Sequence, residues 1–125
     1  MNVLVVDDSA AMRKIIIGAL AKTELRGARA IEAASGKEGL DKFLDGNFGL
    51  ILSDWNMPEM DGLEFVSKVR RVDQRVKIIM ITTEGTCGKL ENALDQGVDE
   101  YVVKPFTPET LDRKIKKLLG LGAAH

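Results

Sequence analysis

Short apolar runs alternate along this chain with longer segments in which apolar residues recur at helical spacing. Unbroken runs of Val, Ile and Leu are typical of strands buried on both faces of a parallel sheet, whereas alternating polar and apolar residues are typical of an outer strand. We predict five strands, of which the second alternates in this way. They cover residues 3–6, 29–33, 49–53, 77–81 and 100–103.

Each predicted strand is followed by a segment with the apolar spacing of an amphipathic helix. The first helix is expected to leave Arg13 and Lys14 in water and to bury a stripe made of Met12, Ile15, Ile16, Ala19 and Leu20. The second, third and fifth helices begin with capping residues, which are Ser35 with Glu38, Asp61 with Glu64, and Thr107 with Pro108 and Glu109. The fourth is predicted around Leu90 and Leu94 and ends near Gly97.

Five strands alternating with five helices over short loops predict an α/β fold. The expected architecture is a doubly wound, parallel five-stranded sheet of the flavodoxin-like (βα)5 type. The outer character of the second strand favours the strand order 2-1-3-4-5. We expect residues 1–120 to form a single domain, too small to include a separate effector module, and residues 121–125 to form a C-terminal tail.

Composition excludes several classes of function. The 18 basic and 19 acidic residues give a net charge of −1, which argues against general affinity for nucleic acids. No apolar stretch approaches the roughly 20 residues that span a bilayer, and no signal segment is recognisable, so we expect a cytoplasmic protein. Cys87 is the only cysteine, which excludes an intramolecular disulfide.

Charged residues directly follow three of the apolar runs: Asp7 and Asp8, then Asp54, then Lys104. Because parallel strands place their carboxyl ends at one edge of the sheet, these side chains should share a crevice, to which Thr82 adds a hydroxyl group. Three carboxylates need a cation, and oxygen ligands suit Mg²⁺. With the lysine, such an ion would hold a phosphoryl group for transfer to an aspartate. The isolation of Asp54 favours it as the nucleophile, although the adjacent acids also suit a helix N-terminus.

Four segments make the chain resemble the receiver domains of two-component signalling, in particular the single-domain chemotaxis regulators. They are V-V-D-D-S around Asp7, D-W-N-M-P-E-M-D-G-L from Asp54, I-T-T-E with Thr82, and Y-V-V-K-P-F with Lys104. Each segment alone is a weak signal, but four at the expected strand ends and in the expected order are highly specific.

The resemblance implies a phosphorylation site. Asp54 would be the phosphoacceptor, and Lys104 would pair with the phosphoryl group. Mg²⁺ would be held by Asp7, Asp8, Asp54 and the backbone carbonyl of Asn56. The peptide bond between Lys104 and Pro105 would be cis, an isomer that is rare except before proline.

The resemblance also implies a switch. Thr82 would be the hydroxyl that moves to the phosphoryl group, and Tyr101 the aromatic residue that moves with it. Asn56 and Glu84 would modulate dephosphorylation. The chain would catalyse only its own phosphorylation and dephosphorylation, so it would be a signalling protein rather than an enzyme.

The implied partners are a histidine kinase as phosphodonor and a downstream protein such as the flagellar motor switch. Phosphorylation would shift a two-state equilibrium at the face formed by the fourth helix, the fifth strand and the fifth helix. That face would bind the target. We expect a monomer that binds neither nucleic acid nor membranes.

Three other functions remain open. A phosphorelay intermediate or phosphate sink would pass the phosphoryl group to a histidine phosphotransfer protein. A metal-dependent aspartyl-phosphate phosphatase would need a cap or substrate pocket, for which the chain has little room. A flavin-binding electron carrier would need a phosphate-binding loop after the first strand, where Asp7 and Asp8 would instead repel the phosphate.

Three local expectations complete the prediction. Trp55 should be an exposed neighbour of Asp54. Gly85 and Gly88 predict a mobile loop before the fourth helix. The basic residues of the fifth helix should form a solvated face, consisting of Arg113, Lys114, Lys116 and Lys117.

Overall fold

Apolar strands form the centre of the molecule. A computed structural model describes residues 1–83 and 96–120 of the chain. The strands are β1 (Asn2–Val6), β2 (Arg29–Ala33), β3 (Leu50–Asp54), β4 (Lys77–Thr82) and β5 (Glu100–Val103). They pair in parallel in the order β2-β1-β3-β4-β5, which confirms both the predicted parallel sheet and its strand order.

Four helices flank this sheet in the described part of the chain. They are α1 (Ala10–Leu20), α2 (Gly36–Leu44), α3 (Gly62–Val72) and the C-terminal helix (Pro108–Leu119). Most of the fourth predicted helix, together with Glu84 and the glycine-containing loop 85–88, lies outside the described residues, as does the predicted tail 121–125. None of the described helices is long and apolar enough to cross a membrane.

Side-chain caps that were predicted from the sequence fix where three of the helices begin. Ser35 Oγ accepts a hydrogen bond of 3.0 Å from the Glu38 amide, and Asp61 Oδ1 accepts one of 2.9 Å from the Glu64 amide. Thr107 caps the C-terminal helix, which begins at Pro108 as predicted. These caps satisfy amide groups that have no partner within the helix, so the predicted helix starts are confirmed.

The sheet separates two hydrophobic clusters, because successive side chains of a strand point to opposite faces. On one face, α2 and α3 pack against alternate strand residues, with Phe43 and Phe65 among the buried side chains. On the other face, α1 and the C-terminal helix cover the intervening strand residues, with Ile16 and Ile115 among them. The result is a three-layer α/β/α domain whose strand ends remain available for a site.

The predicted set of buried residues in α1 is wrong at the edges of the buried face. Ile15 is 58% exposed, whereas Ile17 is partly buried and packs against the cluster that contains the C-terminal helix. Arg13 is not turned into water, since its guanidinium hydrogen-bonds to protein oxygens. Helical spacing specifies the centre of a buried stripe, but the positions of neighbouring elements decide which side of it is covered.

Candidate functional site

The charged residues singled out from the sequence meet at the carboxyl edge of the sheet. Asp54 is the last residue of β3, Asp7 and Asp8 directly follow β1, and Lys104 directly follows β5. Thr82 ends β4, is fully buried, and accepts a backbone hydrogen bond of 2.8 Å from the Lys104 amide. The predicted crevice is therefore present, formed by four neighbouring strands.

Three carboxylates are clustered in this crevice. Asp7, Asp8 and Asp54 each place one oxygen within 4.8 Å of the others. Asp7 and Asp54 are buried, with 1% and 8% of their surface exposed, whereas Asp8 is exposed. Like charges this close repel one another by several kcal/mol at an effective dielectric constant of about 20, so the cluster requires positive charge.

Asp7 has one satisfied and one unsatisfied oxygen. Its Oδ1 accepts a hydrogen bond of 2.9 Å from the Ser9 amide, while its buried Oδ2 has no hydrogen-bond partner among the described residues. Burial, followed by the neighbouring carboxylates of Asp54 and Asp8, raises the pKa of Asp7 despite the opposing effects of Ser9 and Lys104. A buried acceptor without a donor, within a set of oxygen ligands, fits a hard divalent cation such as Mg²⁺.

Helix capping does not account for the acid pair. Ser9 is the N-cap of α1, and its hydroxyl oxygen accepts a hydrogen bond of 3.1 Å from the Met12 amide. Asp7 instead lies at the end of β1, with its amide donating to the Ala33 carbonyl. Its side chain is therefore available to the crevice.

Lys104 supplies the cation that the structure shows. Its ammonium nitrogen lies 3.2 Å from Asp54 Oδ1 and 3.6 Å from Asp7 Oδ2, with 18% of the side chain exposed. The peptide bond between Lys104 and Pro105 is cis, as predicted. One monovalent cation between carboxylates leaves the cluster with net negative charge.

Backbone amides of the segment after β3 fix the position of Asp54. The Trp55 amide donates a hydrogen bond of 2.8 Å to Asp54 Oδ1, and the Gly62 amide donates one of 2.8 Å to the Trp55 carbonyl. A Cβ on Gly62 would lie 2.5 Å from the Asp54 carbonyl oxygen, so only glycine allows this approach. The first turn of α3 therefore packs directly against the backbone of Asp54.

The expectation that Trp55 is exposed is wrong. Only 6% of its surface is exposed, and it belongs to the hydrophobic cluster that includes Phe65 and Met80. Because β3 is followed by α3 on that face, the indole is covered between the sheet and the helix. Trp55 is thus a buried neighbour of Asp54 and is linked to it by a hydrogen bond.

The remaining candidate residues lie around this centre. Asn56 is exposed in the loop two residues after Asp54. Tyr101 is half-buried on β5 and packs against the cluster on the α3 face of the sheet. Glu84 lies outside the described residues.

Sequence analysis missed one residue that contacts the acid pair. The Arg13 guanidinium donates a hydrogen bond of 2.7 Å to the main-chain carbonyl of Asp7 and one of 2.8 Å to the Glu32 carboxylate. Long side chains of a helix point toward its N-terminus, so an arginine on the first turn after an acid pair was a usable signal. Arg13 therefore anchors the turn that presents Asp7 and Asp8.

Comparison with known proteins gives a consistent match. A family model described as the response regulator receiver domain matches residues 3–116. The chain is 48% identical to chemotaxis protein CheY1 of Helicobacter pylori over 96% of this chain and 98% of that protein. It is 44% identical to a CheY homolog of Campylobacter jejuni over 100% and 97% of the two chains. The structure of Vibrio cholerae CheY4 superposes with a TM-score of 0.85 at 38% identity, covering 94% of this chain and 97% of that one.

Proposed function

The chain belongs to the family of response regulator receiver domains, and we propose on this basis that it is a chemotaxis-type switch phosphorylated on Asp54. Members of this family act in two-component signalling and are signalling switches rather than conventional enzymes. The proposed receiver domain covers residues 1–120. Its phosphodonor would be a histidine kinase, as the family implies.

One observation carries this proposal: Lys104 lies between the two buried members of the acid cluster at the sheet edge. Its ammonium contacts Asp54 and Asp7, and Asp8 completes the cluster. A phosphoryl group on Asp54 would place three acceptor oxygens close to this ammonium. The arrangement thus has the charge distribution that phosphoryl transfer needs, which depends mainly on positioning and neutralisation of the phosphoryl oxygens.

The two oxygens of Asp54 have different environments. Both hydrogen bonds that the described residues donate to this carboxylate, from the Trp55 amide and from Lys104, end on Oδ1. We assign Oδ2 as the nucleophile. It forms a P–O bond as the P–N bond of the donor phosphohistidine breaks, and the departing imidazole nitrogen takes up a proton from solvent. In hydrolysis, a water oxygen attacks phosphorus as the P–O bond to Asp54 Oδ2 breaks, and the products are the Asp54 carboxylate and inorganic phosphate, which has received the two protons of the water.

The acid cluster would hold Mg²⁺. Asp7 and Asp54 each direct a buried carboxylate into the crevice, Asp8 is the exposed third acid, and the Asn56 carbonyl is the fourth proposed ligand. The ion would neutralise the carboxylates and the incoming phosphoryl oxygens. The burial of Asp7 and Asp54 excludes bulk water from that side of the crevice.

The switch would run from Asp54 to the face around Tyr101. Thr82 is at the end of the strand next to Asp54, and its register partner Val103 lies on the same strand as Tyr101. Movement of the Thr82 hydroxyl toward the phosphoryl group would favour one of two pre-existing conformations. Asn56 and Glu84 are the proposed modulators of dephosphorylation.

The proposed output is binding of a downstream protein, such as the flagellar motor switch, by the face around Tyr101. The chemotaxis names of the relatives support this assignment. A target that binds more tightly after phosphorylation would support it. Rapid transfer of the group to a histidine phosphotransfer protein would instead identify a relay.

Intact mass after incubation with acetyl phosphate and Mg²⁺ tests the acceptor. The wild type and Asp41→Asn should each gain one labile phosphoryl group, since Asp41 is an exposed acid on α2. Asp54→Asn should gain none. In parallel, when acetyl phosphate is added to protein already saturated with Mg²⁺, fluorescence of the buried Trp55 should change further only in the two proteins that are modified. Modification of Asp54→Asn to the wild-type extent would overturn the assignment.

A further inference from the structure

Glu100 is a buried carboxylate outside the phosphorylation site. It begins β5, is 7% exposed, and hydrogen-bonds to two lysines of the C-terminal helix. Lys114 Nζ lies 3.1 Å from Oε1, and Lys117 Nζ lies 3.1 Å from Oε2. Burial raises the pKa of Glu100, but the hydrogen bonds from Lys117, Lys114 and the Tyr101 amide, together with the charge of Lys114, lower it by more, so the pKa lies below its usual value. Lys114 is therefore ion-paired and partly buried, contrary to the expectation of a solvated face, whereas Lys117 is ion-paired but remains exposed as predicted.

Lys114 connects this carboxylate to Tyr101. Its ammonium nitrogen lies 5.3 Å from the centroid of the Tyr101 ring, within the range of a cation–π interaction. Glu100 Oε1 also accepts a hydrogen bond of 3.2 Å from the Tyr101 amide. One carboxylate oxygen is thus tied both to the main chain of Tyr101 and, through Lys114, to its ring.

The position of β5 makes this connection possible. Side chains alternate along the strand, so Val102 packs toward the C-terminal helix while Tyr101 packs on the opposite face of the sheet. Because β5 is an edge strand, the side chain of Lys114 can reach from one face to the other around that edge. Lys114 is accordingly 26% exposed, whereas Lys117, which contacts the same carboxylate, is 71% exposed.

We propose that Glu100 is a positioning residue that, through Lys114, holds Tyr101 in the half-buried orientation observed here. An ammonium shared between a fixed carboxylate and an aromatic face cannot follow the ring when the ring turns away. Rotation of Tyr101 therefore requires loss of the contact with Lys114. The positioning of Tyr101 does not depend on the proposed function. Only its consequence rests on that function, namely that the contact between Lys114 and Tyr101 favours the unphosphorylated conformation.

The orientation of Tyr101 can be measured without phosphorylation. Tyr101 is the only tyrosine of the chain, so ring-labelled tyrosine gives one unambiguous set of NMR signals. We expect Lys114→Met and Glu100→Gln to shift these signals in the same direction and to change the side-chain rotamer populations. Lys117→Met is the matched control, because it removes the same charge and also breaks a contact with Glu100 but does not touch the ring. It should leave the signals close to those of the wild type.

Two results would show that the contact with Lys114 does not position Tyr101. One is an unchanged Tyr101 ring in folded Lys114→Met, and the other is an effect of Lys117→Met as large as that of Lys114→Met. Glu100→Gln tests the carboxylate itself, and Lys114→Met still tests the contact if Glu100→Gln fails to fold. A shift with Lys114→Met but none with folded Glu100→Gln would assign the role to the lysine alone and refute that of Glu100.

A second measurement tests the consequence for the switch. Beryllium fluoride with Mg²⁺ imitates a phosphoryl group, and we expect Lys114→Met to bind it about two- to fivefold more tightly than Lys117→Met, as the loss of one cation–π contact predicts. Equal affinities would refute this coupling. Failure of the wild type to bind beryllium fluoride would contradict the proposed function, while the NMR result would still decide the role of Glu100.

Discussion

The ammonium nitrogen of Lys104 lies 3.2 Å from Oδ1 of Asp54, the same oxygen that accepts the Trp55 amide. Two donors on one oxygen orient the carboxylate, while none of the described residues donates a hydrogen bond to its second oxygen. Lys104 is also 3.6 Å from Asp7, so one side chain both orients the proposed acceptor and reduces the repulsion between two buried acids. Loss of Lys104 should therefore have two distinct effects, one on the reactivity of Asp54 and one on the stability of the fold.

Lys104→Met should slow phosphorylation of Asp54 by acetyl phosphate at least tenfold, because one charge-assisted contact to the phosphoryl group is worth on the order of 1.5 kcal/mol or more. The rate of mass gain under Mg²⁺ saturation measures this effect. Lys14→Met, which removes an exposed lysine of α1, should retain the wild-type rate. Equal rates for the two variants would show that Lys104 does not contact the transferred group.

Asp7→Asn should stabilise the metal-free protein at neutral pH by about 1 kcal/mol, because it removes a buried charge from between like charges. The pKa of Asp7 is raised on folding from its ordinary value of 3.8. Because the folded state binds the Asp7 proton more tightly than the unfolded state, protonation of Asp7 stabilises the fold. This stabilisation is fully present below the unfolded pKa of Asp7 and is lost as the pH rises through its folded pKa. The advantage of the variant should thus shrink as the pH is lowered toward 3.8.

Urea unfolding at several pH values without Mg²⁺ measures this difference. Asp8→Asn is the control, because the same change at an exposed carboxylate should stabilise the protein less. A variant Asp7→Asn that is less stable than the wild type at neutral pH would contradict the prediction. Adding Mg²⁺ should raise the stability of the wild type and have little effect on Asp7→Asn.

Arg13→Met should weaken Mg²⁺ binding by about tenfold, since it frees the turn that carries Asp7 and Asp8. Titration of Mg²⁺ followed by Trp55 fluorescence gives the affinity. Glu32→Gln removes the charge of the other partner of Arg13. Because the Glu32 side chain is 47% exposed and exposed ion pairs contribute little, this variant should change the Mg²⁺ affinity less than about twofold. If Glu32→Gln were as damaging as Arg13→Met, the contact with Asp7 would not be the cause.

Gly62→Ala should destabilise the protein by about 2 to 3 kcal/mol, because the added methyl group would overlap backbone atoms that cannot easily move. Thermal unfolding should show a midpoint lower by about 10 °C. Gly18→Ala in α1 is the control, since nothing lies within 4 Å of its added Cβ and alanine favours helices. That variant should be slightly more stable than the wild type, so a loss of stability in both would contradict the steric explanation.

Local signals in the sequence were sufficient for the sheet and for most of the helix starts. The alternation of residues 29–33 identified the outer strand, and Ser35, Asp61 and Thr107 marked helix N-termini through hydrogen bonds that span only three residues. Charged residues at strand ends were recognisable because parallel strands bring their carboxyl ends to one edge. These features depend on contacts between residues close in sequence or on the order of strands and helices, and both can be inferred from the sequence.

The features that sequence analysis missed depend on contacts between distant elements. Trp55 is predicted to be an exposed neighbour of Asp54, yet it is buried in the cluster that α3 forms with the sheet. In the sequence, Glu100 has only the signal of a strand residue, although the C-terminal helix places Lys114 and Lys117 on its carboxylate. Neither contact has a signature in spacing or composition, since each requires the packing of one element against another.

The two hydrophobic clusters have a consequence for how this fold can vary. Among the described residues they share no buried side chain, because the sheet lies between them. Substitutions in sites that share no packing partner combine with nearly additive effects on stability. Changes at Ile115 and Phe65, for example, should not require each other for compensation. The side chains of one cluster can therefore be substituted independently of those of the other, provided that the positions of the strand ends are retained.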